Sequence, residues 1–314
     1  MEKLKSKQLF KDFSDKHADK LPFSLQFAWW NEVVVENWEV AILNNGEDTY
    51  AIMPYYIRKK GPWNLISNPH FTPYSGPFII YPKGQKTTTR IAFEHRAYGE
   101  LIDQLPSFSE YSQNFHLQFK NALPFQWSGF NETNRYTYLL SLEQEEKELR
   151  SGLRENNRKQ IKKAEKTIEI SETNDALLLQ GTLQQSIENK IEISYFERMI
   201  AYVEKHNCGK VWKATEGKNI HAVLLCISDE KSAYYLLGGN AKEFKNSGAM
   251  SLLTWNALLY FKQLGIKQFN FEGSSIEAVE KYFRGFGGEL VSFKRLEKHN
   301  SKSLEVAKKL KGTI

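Results

Sequence analysis

The run Phe269-Asn-Phe-Glu-Gly-Ser-Ser-Ile-Glu-Ala-Val-Glu-Lys-Tyr-Phe-Arg-Gly-Phe-Gly-Gly288 constrains the fold more than any other stretch of the chain. The run reads as a buried strand, a tight Gly-Ser turn and then a short helix. The exit, Gly285, Gly287 and Gly288, leads into another strand, Glu289 to Arg295. A buried strand, a short helix and a second strand in so few residues require helices layered on a sheet. The run also sets a carboxylate, Glu272, at a strand end and brings Arg284 close to three glycines, as a site would.

At 314 residues the chain is too long for one ordinary domain and comfortable for two. A hydrophobic content of 41% supplies a large core and excludes wholesale disorder. The net charge of +6 is unevenly spread. Cys208 and Cys226 make no disulfide framework, and neither they nor the histidines have metal spacing, so no metal is expected. The lysine-rich start has no apolar signal region, and the longest apolar runs, such as Ala222 to Ile227, are strand length. These features predict a cytoplasmic protein without a membrane span and with no DNA among its partners.

The pattern divides the chain into a polar arm (1–20), either frayed or an exposed helix, a first domain (21–140), a second domain (141–297) and a basic tail (298–314) whose helix is expected from Glu297 onward. In the first domain Ser24 to Asn37 reads as a helix capped by Ser24. Trp38 to Leu43 and Tyr50 to Ile57 flank an Asn-Gly hairpin turn, Pro69 to Pro77 is a loop, and Thr88 to Leu105 a helix. Phe115 to Phe119 and Tyr136 to Leu142 read as strands. In the second, Glu145 to Lys166 is the clearest helix, with Leu149, Leu153, Ile161, Ala164 and Ile168 as its buried face. Helices at Thr173 to Ser186 and Tyr195 to Lys205 follow, then strands Lys210 to Ala214, Asn219 to Ser228 and Ser232 to Gly238, the helix Ala249 to Leu264 and the strand Gln268 to Phe271. The halves share one order of elements, which predicts two copies of one α/β unit.

The segment Phe271-Glu-Gly-Ser…Glu280-Lys-Tyr-Phe-Arg-Gly-Phe-Gly-Gly288 resembles the C-terminal signature of the FemAB-like branch of the GNAT acyltransferases. Arg150-Ser-Gly-Leu-Arg-Glu-Asn-Asn-Arg-Lys-Gln-Ile-Lys-Lys-Ala-Glu-Lys166 is similar to the basic helix opening that family's second domain, and Pro69 to Pro77 to a loop of its first. The resemblance implies two tandem GNAT folds, each a mixed, largely antiparallel sheet flanked by helices. It implies transfer of an acyl or aminoacyl group to an amine, from acyl-CoA such as acetyl-CoA or, in the peptidoglycan-bridge members, from aminoacyl-tRNA. The long coiled-coil arm of many such members has no counterpart here. The chain also departs from the family at Tyr282-Phe283-Arg284, where a lysine often follows an aromatic residue.

Arg150, Arg154, Arg158, Lys162 and Lys166 recur every four residues, a cationic stripe on a continuous helix. It suits a phosphate, a polyanion or RNA backbone; it equally suits a solvated face paired with its own glutamates. Lys245, Gly248, Ala249 and Ser251 open the long helix, where backbone N–H groups attract a pyrophosphate. Within the resemblance this is the CoA cradle, with Met250 at a position the family keeps small; a plain cap by Ser247 reads as well. Glu272 is either a base for the attacking amine or a carboxylate accepting N–H bonds from the Gly273 to Ser275 turn. Arg284 is either a ligand for phosphate or carboxylate, or half of an ion pair. Tyr234 and Tyr235 face opposite sides of a strand, and Tyr235 is the candidate proton donor. Tyr74, Tyr282, Arg154 and Arg158 are the candidate acceptor-binding residues, suiting a small-molecule, peptide or sugar amine in a cleft between the domains.

The first reading is thus an acyl-CoA-dependent N-acyltransferase. The others are an aminoacyl-tRNA-dependent ligase acting on a cell-wall precursor, and a non-catalytic GNAT-fold module binding RNA or a polyanion.

Overall fold

The computed structural model describes residues 2–184, 191–273 and 276–310. Two compact units emerge: Met1–Arg135 with Ser292–Ile314, and Tyr136–Val291. The expected second domain ran to residue 297 with a separate tail beyond it. Instead the last strand continues to His299, and its final residues pair inside the first unit.

The first unit begins with helix α1 (Glu2–Lys16). It is no loose polar arm, because Phe10 and Phe13 are buried and Phe10 meets Phe27 and Trp38 edge-on. The expected helix Ser24 to Asn37 is shorter and irregular. Ser24 is buried inside a separate turn, Phe23–Leu25, and the cap position falls on Gln26, before α2 (Phe27–Trp29) and a wide turn, Trp30–Val34. Left-handed backbone at Val35 and Asn37 ends it. Strands β1 (Trp38–Asn45) and β2 (Asp48–Lys60) form the expected hairpin around Gly46, whose φ of 62° the turn requires. β3 (Trp63–Ser67), β4 (Phe78–Ile79), α3 (Thr87–Asp103), β5 (Glu110–Asn114) and α4 (Leu123–Trp127) follow.

The strand expected at Phe115 to Phe119 is not there. β5 ends at Asn114, and Phe115 and Phe119 instead pack edge-on with each other and with Phe125. Aromatic residues suit a strand, but here tertiary packing claims them. The sheet of this unit is ordered β1-β2-β3-β5, with the end of the last strand beside β5. It is antiparallel except for β3 and β5, which run parallel and are joined through α3.

The second unit takes in the end of β6 (Asn131–Ser141), then α5 (Glu146–Gly152), α6 (Glu155–Ala164), β7 (Glu169–Glu172), α7 (Ala176–Gln184) and α8 (Ile193–His206). The strands β8 (Gly209–Glu216), β9 (Asn219–Ser228) and β10 (Ser232–Asn240) lead to α9 (Ala249–Gln263), β11 (Gln268–Asn270), α10 (Glu277–Arg284) and the start of β12 (Glu289–His299). The final helix, α11 (Lys302–Leu310), lies in the first unit and buries Leu304. Part of the expected helix Thr173 to Ser186, and Ser274 and Ser275 of the expected turn, lie outside the described residues. The sheet order is β6-β11-β10-β9-β8-β7, antiparallel except for β10 and β11.

The long helix Glu145 to Lys166 is broken. Leu153 and Arg154 are extended, so α5 and α6 are separate. The break is anchored by the Arg154 N–H, which donates to the Gly285 carbonyl at 2.8 Å, and by Leu153, buried in the core. The predicted apolar face survives, with Leu149, Leu153, Ile161, Ala164 and Ile168 all in the core under α9. The even cationic stripe does not survive, because its spacing assumed one continuous helix.

Candidate active site

The site begins where two strands part. β10 and β11 pair over Ser232 to Tyr234 and Gln268 to Asn270, and no further. Among the described residues no strand pairs with the β11-side edge of β10 from Tyr235 onward. The opposite edge stays on β9, but with a slip of register between Tyr235 and Leu237 that leaves Leu236 as a bulge. A cavity of about 520 Å³ lies beside this stretch of β10, lined by Tyr235, Gly238 to Asn240, Lys242, Lys245, Met250 and α10 residues including Val279, Tyr282 and Phe283. Its depth is aromatic and aliphatic, while two exposed lysines, Lys242 and Lys245, stand in its lining.

Tyr235 is buried here, and its hydroxyl donates to Met250 Sδ at 3.2 Å. Burial pushes its phenol pKa well up, with Tyr282 adding to the effect, so it holds its proton at neutral pH. The ring lies along its own strand over Gly238, where an added Cβ would sit 2.4 Å from the hydroxyl. Glycine at 238 is what lets Tyr235 take this pose. Tyr282, from α10, is held more firmly. Its hydroxyl donates to the Met250 carbonyl at 3.1 Å and meets Thr254 Oγ1 at 2.7 Å. Burial raises its pKa too.

Lys245 is the one residue of the predicted pyrophosphate cradle that lines this cavity. Gly248 is needed for another reason. Its φ is 85°, and an added Cβ would lie 2.4 Å from the Gln160 carbonyl, so it lets α6 pack on the start of α9. Ala249 is fully buried, and Ser251 is buried with its hydroxyl turned to Tyr282. Met250, the expected mismatch, is a wall of the cavity.

Glu272, two residues past the end of β11, has a φ of 62°, unusual for a residue with a side chain. Its N–H donates to Asn270 Oδ1, and among the described residues neither carboxylate oxygen, both sealed from solvent, has a hydrogen-bond partner. The alternative of a carboxylate satisfied by the Gly273 to Ser275 turn falls on Ser274 and Ser275, which lie outside the described residues. Burial raises its pKa well above the usual carboxylate range, and the charge of Asp229 raises it further. Asp229 accepts the hydroxyl of Tyr234, on the sheet face opposite Tyr235. Glu272 does not line the cavity of Tyr235.

The remaining predicted residues have other duties. Arg284 pairs with Glu280 at 3.0 Å, its side chain 59% exposed, rather than entering the cavity. Arg158 donates to the Ser151 and Leu153 carbonyls and so closes the end of α5. Arg150 pairs with Glu165. Arg154 remains exposed, as do Lys162 and Lys166. Tyr74 is wholly buried in the first unit, edge-on to His116 and Phe293, and is core. The motif glycines pack closely: a Cβ at Gly285 would meet the Asn157 side chain at 2.7 Å and one at Gly287 the Gly152 carbonyl at 2.7 Å. Sequence reasoning missed Gly238, Gly239, Lys242 and Val279. The paired glycines at a strand end were the available signal.

Among the described residues no group of His, Cys, Asp and Glu could hold a metal, and no helix is long and apolar enough to cross a membrane.

Residues 151–284 match the acetyltransferase (GNAT) domain family. No curated protein matches the chain in sequence. Among solved structures, FemX aligns with a TM-score of 0.65 at 11% identity, over 96% of this chain and 98% of that one. A tandem GNAT protein from the clavulanic acid biosynthesis pathway aligns at 0.57 and 8% identity, over 94% and 95%. The C-terminal domain of a putative lysylphosphatidylglycerol synthetase from Agrobacterium fabrum aligns at 0.54 and 13% identity, over 96% and 95%. At these identities the likeness is one of fold.

Proposed function

We propose that this chain is a FemAB-like protein of the GNAT acyltransferase superfamily, and that it moves an acyl group from an acyl-CoA thioester to an amine, using the cavity beside β10. The observation that carries this reading is the unpaired edge of β10 beside an apolar cavity with lysines in its lining. An extended ligand with amides can complete the ladder along Gly238 to Asn240, as a peptide adds to a sheet edge. The apolar depth suits an acyl chain, and Lys242 and Lys245 suit the phosphates of the same donor.

The chemistry is a direct acyl transfer. The amine nitrogen attacks the thioester carbon, the C–N bond forms and the C–S bond breaks. The amine's proton passes to Glu272, which stands outside the cavity lining and must open toward it for the transfer, and the leaving thiolate takes a proton from Tyr235. Tyr235 suits that role better than Tyr282, because a thioether is a weak acceptor and holds the Tyr235 proton loosely. Tyr282 is committed to a carbonyl and a threonine. A buried, unpartnered glutamate is a stronger base once ionised than an exposed one.

Isothermal titration with acetyl-CoA and longer acyl-CoAs tests the donor. Binding that is lost when Lys242 and Lys245 are both replaced by alanine supports the reading, and no binding of any acyl-CoA overturns it. A second reading, an aminoacyl-tRNA donor, is favoured by the exposed cations Arg154, Lys162 and Lys166. It requires charged tRNA to bind with an affinity that falls steeply as salt rises.

A further inference from the structure

Lys242 and Lys245 can meet one ligand only if the short turn that carries them, Lys242–Phe244 and the residue after it, is held in place. An aromatic stack and two hydrogen bonds hold it. Phe244 lies flat on His221 of β9, with ring centroids 3.9 Å apart and planes 8° from parallel. The Ala241 N–H donates to the His221 carbonyl at 2.9 Å, so the same residue ties down the start of the turn. Just past the turn, Lys163 Nζ on α6 donates to the Asn246 carbonyl at 3.0 Å.

On its β8 side, β9 slips by one residue: Ala214 faces Ala222 and Thr215 faces Ile220, which leaves His221 as a bulge. A bulge re-aims the side chain it carries, and this one is 2% exposed against Phe244. Among the described residues neither ring nitrogen has a hydrogen-bond partner, and Glu216 Oε2, 3.7 Å from Nε2, is too far for one. What the ring supplies is therefore its flat face. We propose that His221 is a positioning residue of the donor site: through Phe244 it fixes the turn that presents Lys242 and Lys245 to the donor phosphates. The inference rests on the acyl-CoA reading of this cavity. Glu243, the carboxylate between the two lysines, is exposed and outside the cavity lining, so the turn offers the cavity its cations without its anion.

Isothermal titration of the full chain with acetyl-CoA, beside tryptic cleavage of the ligand-free protein at Lys242 and Lys245, tests this. His221→Leu and Phe244→Leu should each bind acetyl-CoA about tenfold more weakly, the scale of one aromatic pair. Both should be cut about tenfold faster at the two lysines, because the turn is open more often, with cleavage elsewhere unchanged. His221→Phe keeps a ring under Phe244, loses only two unpartnered nitrogens, and should match wild type in both measurements. In a Lys245→Ala background His221→Leu should weaken binding far less, since both changes act on the same contact. Wild-type affinity in His221→Leu, weakened binding in His221→Phe, or losses that multiply in full with Lys245→Ala each overturn the proposal. If the wild-type protein binds no acyl-CoA, the donor reading fails by itself. The cleavage then decides the rest: an unchanged rate in His221→Leu shows that the stack does not hold the turn, and a faster one that it does.

Discussion

The two units each contain one parallel strand pair joined through a helix, and the pairs end differently. In the first, β3 and β5 pair over Leu65 to Ser67 and Glu110 to Ser112, and the chain then seals the gap. The Asn68 side chain accepts the Asn114 N–H at 2.7 Å, Ser75 N–H donates to the Asn114 carbonyl, and Ser75 bridges to Phe115. Tyr74 fills what space remains. In the second, β10 and β11 also pair over three residues, but beyond Tyr234 no described strand continues the pairing and the 520 Å³ cavity lies beside β10. The same crossover is thus plugged by a proline-rich loop in one unit and left open in the other. A parallel pair leaves room for a ligand only when nothing from its own chain continues it, so under the proposed function the first unit is the scaffold and the second carries the chemistry.

The strongest way to break that comparison is Glu272→Gln. If Glu272 is the base, kcat should fall by about 10²–10⁴-fold, with wild-type donor affinity in titration. The wild-type rate should rise with pH through the elevated pKa of Glu272, and the variant should lose that limb. Stability moves the other way. A carboxyl whose pKa is raised on folding contributes most below its unfolded value, and stability falls as pH rises from there through the folded pKa. The variant should therefore melt at a higher temperature than wild type at neutral pH, and the difference should vanish in acid. A small change in rate would make Glu272 a strained structural residue and leave the open crossover without its base.

The next largest effect belongs to the plugged unit. Gly76 has a φ of 91°, and an added Cβ would lie 2.4 Å from the Phe115 ring. Gly76→Ala should cost about 2–4 kcal/mol, from backbone strain and overpacking together, read as a lower denaturation midpoint. Its kcat at a permissive temperature should match wild type. A selective loss of activity with stability intact would place the first unit in the chemistry.

Gly238→Ala makes the matching change in the open unit. Its Cβ meets the Tyr235 hydroxyl, the far end of a side chain that can swing away, so the stability cost should be smaller, about 1 kcal/mol. The displaced ring would enter the cavity, and acyl-CoA affinity should fall about tenfold in titration. Unchanged affinity would mean that the donor does not lie along β10.

Much of this was legible in the residues, and the losses have physical causes. The hairpin at Asn45-Gly46, strands β9 and β10 and the helix α9 follow from periodicity and turn chemistry, which are local. The break between α5 and α6 was not legible, because Leu153 and Arg154 are held extended by the core and by Gly285, more than a hundred residues away. The aromatic run at Phe115 looked like a strand because composition does not reveal which partners a ring will find. At the site, Tyr235, Tyr282 and Lys245 were found, but Gly248 was assigned to a ligand when it serves the approach of α6. Arg284 was read from a signature, and a signature carries kinship without saying which side chains face the cavity.

Arg284 therefore supplies the smallest predicted effect and the sharpest control. Its guanidinium pairs with Glu280 one turn back on α10, and Glu280 also accepts the Tyr138 hydroxyl, so removing the arginine leaves the carboxylate with a partner. Exposed pairs of this kind contribute about 0–1 kcal/mol. Arg284→Ala should shift the melting temperature by no more than a few degrees and leave acyl-CoA affinity unchanged, because the side chain lies outside the cavity lining. Measured beside Gly238→Ala, it separates two accounts of the second unit. If the opening of β10 makes the site, the glycine variant loses the donor and the arginine variant keeps it. If the arginine variant loses it tenfold, the donor extends past Phe283 to the end of α10, and the boundary of the open crossover must be redrawn to include the signature that first drew attention to this unit.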